Sequence, residues 1–137
     1  MKKYKLELTT EQCNTLCAAL ELYGRVGLGQ LEVVGEHMHH LHKNKDFKVY
    51  EIRDLLANVK KQYTNFNLGA SYGVGCKEVP ESFTQALDIY QVVRHQIAWD
   101  EHPEGGITVN FHEPMKWGKH ELAKIERIDN DSSHKDS

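Results

Sequence analysis

The feature that most constrains this chain is an apolar stripe interrupted by glycine. From Thr9 onward, Cys13, Leu16, Cys17, Leu20, Gly24, Gly27, Leu31, Val34 and Met38 recur by threes and fours, the spacing of a core-facing helical face. Thr9-x-x-Gln12 at its start reads as a capping box. Gly24, Gly27 and Gly35 fall on or beside the stripe, and each glycine costs roughly 1 kcal/mol against alanine inside a helix. Three compensations are open: close crossing by another helix, close approach of a ligand, or a break near residues 24 to 29.

Two further helices follow from the same periodicity. Val49, Ile52, Leu55, Leu56, Val59 and Tyr63 form a second amphipathic stripe, with Glu51, Arg53, Lys60 and Lys61 turned outward. Pro80 suits the first turn of a third helix, because its missing N–H has no helical partner there anyway. Phe83, Leu87, Tyr90, Val93 and Ile97 supply that helix's core face to about Asp100, beside a mixed stripe of Asp88, Gln91, His95 and Trp99. Tyr4 to Leu8 and Ile107 to Phe111 alternate as short strands.

The expected fold is therefore mainly α with a small β component: a three-helix core and a short antiparallel β pair from the N- and C-terminal strands. Residues 1–115 form a single globular helical domain. Residues 116–137 form a polar C-terminal extension, with a short helix through Leu122, Ile125 and Ile128 and a frayed tail from Asp129. A length of 137 residues fits one domain.

A net charge of −3 opposes a general grip on a DNA or RNA duplex, which needs a basic surface. Met1 to Lys5 leads into no secretory apolar run, and no stretch of about 18 apolar residues occurs. A cytoplasmic protein without a membrane partner is expected, with its three cysteines reduced and packed as small hydrophobes.

The chemistry concentrates between Asn65 and Val79, a connection of about fifteen residues that contains Gly69-Ala70-Ser71-Tyr72-Gly73-Val74-Gly75-Cys76. Loops of this length are usually functional or disordered, and Tyr72, Val74 and Val79 favour order. Backbone amides from Gly73 to Cys76 can meet phosphate oxygens, Ser71 can donate a hydroxyl, and Arg94 offers a planar fork. Tyr72 or Trp99 can stack on a base. Each has a plainer reading: Trp99 as core, Arg94 paired with a carboxylate or covering apolar surface with its stem, His95 as an ordinary surface residue.

Known signatures are absent. The chain has no G-x-S-x-G elbow, no P-loop and no complete dinucleotide fingerprint. His37, His39, His40 and His42 cluster without the Asp of an H-x-H-x-D-H hydrolase pattern and read as a solvated helix end. No metal, cofactor or catalytic residue is assigned.

Longer blocks carry a resemblance. Leu8-Thr9-x-Glu11-Gln12, Ala19-Leu20-Glu21-Leu22-Tyr23-x-Arg25-x-Gly27-x-Gly29-Gln30, the Gly69 to Gly75 loop with Glu78-Val79-Pro80, and Tyr90-Gln91-Val92-Val93-Arg94-His95-x-x-Ala98-Trp99-Asp100-x-His102-Pro103-Glu104-Gly105-Gly106 resemble a widespread family of small bacteriophage proteins. That family is identified here with the nucleotide sponges that counter CBASS immunity. The resemblance covers roughly residues 4 to 115. It implies a non-enzymatic homo-oligomer, a tetramer, acting in the host cytosol and sequestering a cyclic dinucleotide such as 3′,3′-cyclic GMP–AMP at sites near subunit contacts. It nominates Tyr23, Arg25, Gln30, Ser71, Tyr72, Arg94, His95 and Trp99 as ligand-binding residues, with Gln30 reading a base edge. Two other classes stay open: a metal-dependent phosphodiesterase or hydrolase using the histidines, and a protein-binding inhibitor of a host enzyme using exposed apolar residues around Val26 and Leu28.

Overall fold

The computed structural model describes residues 1–41 and 49–128. His42, the connection through Asp46, the side chain of Val49 and the tail from Asp129 lie outside the described residues. Helix α1 spans Thr10–Gly27, α2 Val33–His37, α3 Val49–Thr64 and α4 Glu81–Glu101; single 3-10 turns occur at His39–Leu41 and Val109–Phe111.

The capping box forms as the sequence requires. Gln12 N–H donates to Thr9 Oγ1 at 3.1 Å, and Thr9 N–H donates to Gln12 Oε1 at 2.9 Å, satisfying two groups at the helix start that have no intrahelical partner. At the other end the apolar stripe breaks. Gly29 adopts φ +87°, Gly29 N–H donates to Val26 O and Gln30 N–H donates to Arg25 O, both at 2.9 Å. This is a Schellman motif, in which glycine takes the left-handed position that a side chain disfavours. The expected long helix is thus α1 and α2 joined by a sharp turn.

Close crossing accounts for Gly24 and Gly27. A Cβ on Gly24 would lie 2.5 Å from Leu87 Cγ, and one on Gly27 would overlap the Phe83 ring and come within 2.5 Å of Phe83 Cβ. Glycine at both positions lets α4 lie against the backbone of α1. The core then fills from both sides: Leu28, Val79 and Leu87 are buried together, with Tyr72, Cys76, Phe83 and Trp117 packed around them.

Helix α3 behaves differently from its amphipathic reading. Among the described helices it contacts only α2, where Ile52 and Leu56 meet Gly35. Leu55 and Tyr63, expected in the core, are 60% and 81% exposed. Lys60, expected to face outward, has no exposed surface. Its ammonium donates to both carboxylate oxygens of Glu32 at 3.1 and 2.9 Å, and Gly69 N–H donates to the same carboxylate at 3.2 Å. This ion pair ties α3, the start of α2 and the glycine loop together.

The predicted β pair is absent: no strand occurs among the described residues. Residues 4–7 are exposed, and Lys3 before them forms an ion pair with Glu121 at 3.2 Å. Residues 107–111 end in a 3-10 turn because α4 supplies their partner. Trp99 Nε1 donates to Phe111 O at 3.1 Å, and the two rings meet edge to face at 5.4 Å. The expected helix through Leu122, Ile125 and Ile128 is also absent; residues 121–128 are irregular, with Leu122 and Ile125 half-buried and the rest exposed, and so short a helix is marginal on its own.

Two outcomes follow. Gly27→Ala should lower stability by about 1–3 kcal/mol through overpacking, whereas Gly73→Ala, where a Cβ meets open space, should be nearly neutral in urea denaturation. The second concerns pH. Burial alone would raise the Glu32 pKa, but the hydrogen bonds from Lys60 and Gly69 and the Lys60 charge outweigh it and hold the carboxyl below its ordinary value. The folded state therefore resists protonation: this stabilisation is complete above the unfolded carboxyl pKa and is lost as pH falls through the lower folded value. Glu32→Gln should flatten the stability profile below about pH 4.5, measured by urea melts across pH.

Candidate ligand cleft

The Schellman turn fixes the first wall of a cleft. By returning Gln30 N–H to Arg25 O it brings the two side chains together, and Arg25 Nη1 donates to Gln30 Oε1 at 2.9 Å. Gln30 Nε2 in turn donates to Ser71 Oγ at 3.4 Å. Tyr72 N–H donates to Leu28 O at 2.8 Å, hanging the glycine loop on the end of α1. The Tyr72 ring is braced edge to face by Phe66 at 4.8 Å.

Helix α4 supplies the opposite wall. Arg94 Nη1 donates to Tyr90 OH at 3.2 Å and the guanidinium carbon lies 4.8 Å from the Tyr90 ring centre. Arg94 has no carboxylate within ion-pair distance among the described residues, whereas Arg25 Nε lies 3.4 Å from Glu21. Arg25, Gln30, Ser71, Tyr72 and Arg94 line a cleft of about 440 Å³ floored by Leu28 and Leu87. Five of the eight nominated residues thus meet in one place.

The other three lie elsewhere. Tyr23 packs its ring 4.7 Å from Phe83 and donates its hydroxyl to Ser82 Oγ at 3.3 Å. Trp99 is occupied by Phe111 as described, and His95 is half-buried and lines neither this cleft nor a second one beside it. Gln30 has its carbonyl engaged by Arg25, so its present role is to hold Arg25 and Ser71 in register. Leu28 is 4% exposed, which removes it from the exposed apolar patch expected around Val26 and Leu28. Helix α2 ends at His37, so the histidines do not share one continuous helix; His39 Nδ1 contacts Glu36 O at 2.7 Å. Among the described residues no group of three His, Cys, Asp or Glu side chains is placed to hold a metal ion.

Sequence reasoning missed the third wall. The segment after Phe111 runs back along α4 as a strap. Asp88, 4% exposed, accepts from Trp117 N–H at 2.6 Å and Gly118 N–H at 2.9 Å, and Gln91 Oε1 accepts from Met115 N–H at 2.9 Å. His120 and Lys119 add contacts to Glu81 at 2.8 and 3.9 Å. His112, Glu113, Met115 and Trp117 thereby line the cleft. The signal was present in the mixed stripe on α4: Asp88 and Gln91 on a helix buried on most sides need partners, and a tryptophan inside a polar extension offers an anchor.

No protein-family model matches the chain, and no curated protein and no solved structure is significantly similar to it. No helix among the described residues is long and apolar enough to cross a membrane.

Asp88→Ala would leave two backbone N–H groups without their charged acceptor, at a cost of about 2–5 kcal/mol. The strap should detach, seen as a red shift of tryptophan emission and faster proteolysis between residues 112 and 120.

Proposed function

We propose that this chain binds a cyclic dinucleotide such as 3′,3′-cyclic GMP–AMP and holds it unaltered, withdrawing the signal from a CBASS-type host defence as a phage immune-evasion protein. The observation that carries the reading is the convergence of Arg25, Gln30, Ser71, Tyr72 and Arg94 on one cleft. Two guanidiniums offer forks that match phosphate oxygens, and Tyr72 offers a ring for a base. A volume of about 440 Å³ falls within the usual range of small-ligand pockets, roughly 300–1,000 Å³. Glu113 also lines the cleft; its carboxylate repels phosphate, which directs the anionic groups toward the arginines and leaves Glu113 to accept from a ribose hydroxyl or base amino group.

Sequestration rests on tight binding and slow release and needs no activated nucleophile. The reading includes self-association, a tetramer by the resemblance, in the cytosol of the infected host. The exposed apolar face of Leu55, Val59 and Tyr63 on α3 supports burial against a second copy. Nucleic-acid duplexes and membranes are not partners in this reading, and the net charge of −3 supports the first exclusion.

The test incubates the protein with cyclic mono- and dinucleotides, removes free ligand, denatures the protein by heat and chromatographs what is released. One cyclic dinucleotide should return unaltered. Arg94→Ala should weaken its retention roughly 10- to 100-fold, the value of a charge-assisted hydrogen bond, while circular dichroism and sedimentation stay those of the wild type. Conversion to a linear product, or undiminished retention by the variant, would contradict the reading.

A further inference from the structure

A second cleft of about 400 Å³ follows the first along the groove between α1 and α4, and Arg94 lines both. Its chemistry differs. Ile97, Ala98 and the half-buried Phe111 ring give it an apolar surface, and Asn14 and Asn110 bring side-chain amides to it. Neither amide has a hydrogen-bond partner among the described residues. Arg94 is the one arginine in its lining, which also includes the acidic residue Glu101; the His102 imidazole lies 3.4 Å from Glu104. A phosphate is therefore welcome only at the Arg94 end. A flat, neutral group with hydrogen-bonding edges suits the remainder.

We infer that this second cleft is a nucleobase subsite for adenine, so that Arg94 holds a phosphate between two bases of one ligand. The inference deepens the cyclic-dinucleotide reading and rests on it. A cyclic dinucleotide has the matching layout, two bases projecting from a ring that carries two phosphates. An asparagine amide presents one donor and one acceptor, which pair with adenine N7 and N6; guanine shows two acceptors on the same edge and leaves the amide oxygen unmatched. Glu101 accepts from an amino group and does not favour a second phosphate. Phe111 offers the base a ring edge or face.

Cys17 lines the cleft and is a free, half-buried thiol, so it reports occupancy without any substitution. Saturating 3′,3′-cyclic GMP–AMP should slow alkylation of Cys17 by iodoacetamide, mapped by peptide mass spectrometry, and leave that of Cys13, one turn away and outside the lining, unchanged. Asn14→Ala and Asn110→Ala, both at exposed positions, should each weaken 3′,3′-cyclic GMP–AMP roughly tenfold. Wild type should hold this ligand more tightly than cyclic di-GMP. If both variants bind as wild type, Cys17 stays equally reactive or cyclic di-GMP binds as well, while Arg94→Ala still loses retention, the adenine subsite is wrong and the sequestration reading stands. If no cyclic dinucleotide is retained at all, both fail.

Discussion

Backbone contact between α1 and α4 at Gly24 and Gly27 is the constraint on which the remaining geometry depends. Helices that meet through large side chains stand 8–10 Å apart; here Leu87 and Phe83 occupy the volume that Cβ atoms would claim. Arg25 sits between the two glycines in sequence, so the approach that α4 requires also carries a guanidinium to the edge of the groove. Across the groove α4 presents Tyr90 and Arg94. The Schellman turn at Gly29 ends α1 at the second contact glycine, Gly27, and folds Gln30 back onto Arg25. Packing and site are thus two consequences of the same short glycine-spaced segment.

The strap shows how a chain satisfies its backbone without a sheet. Residues 107–118 are largely exposed, yet the N–H groups that face α4 still need partners. Met115, Trp117 and Gly118 donate to the side chains of Gln91 and Asp88, and Trp99 donates to Phe111 O. Residues 88, 91 and 99 lie along one side of α4, so the helix acts as a rail for the returning chain. A buried carboxylate receiving two amide donors is well solvated by protein, which explains an aspartate in the middle of a core-facing helix.

Much of this was legible in the sequence. The capping box, the start of α4 after Pro80 and the ordered loop follow from local chemistry, and local chemistry is what a sequence displays; the glycines demanded a compensation without showing whether it was a crossing, a ligand or a break, and both a crossing and a break occur. Alternation in Tyr4–Leu8 and Ile107–Phe111 was misleading because it reports which side chains are apolar, not where the backbone finds its hydrogen bonds. The stripe on α3 was correctly helical but wrongly assigned to a core: Lys60 is drawn inward by Glu32, 28 positions away, while Leu55 and Tyr63 remain outside. No pattern within one helix reveals a distant counter-charge. Trp99 was nominated for its ring and Tyr23 by the resemblance, yet each is engaged by Phe111 or Phe83, contacts that depend on the fold.

The two arginines of the cleft stand in different states of readiness. Arg25 is held by Gln30 and lies near Glu21, so its orientation is fixed during folding and a ligand need not order it; part of its charge, however, is already answered. Among the described residues Arg94 has only the neutral Tyr90 hydroxyl and ring as partners, which leaves its charge available to an anion. Ordering a long side chain at an interface costs about 0.5–1.5 kcal/mol, and exchanging a neutral acceptor for phosphate strengthens the bond made. On the proposed reading, Arg25 would serve chiefly to place the ligand and Arg94 to hold it. Because Arg94 also lines the neighbouring cleft, a phosphate bound there leaves room for a group on either side, and a ligand that fills both sides must leave both to escape. On the proposed reading, the slow release that a sequestering binder requires would come from the position of that one side chain between two clefts.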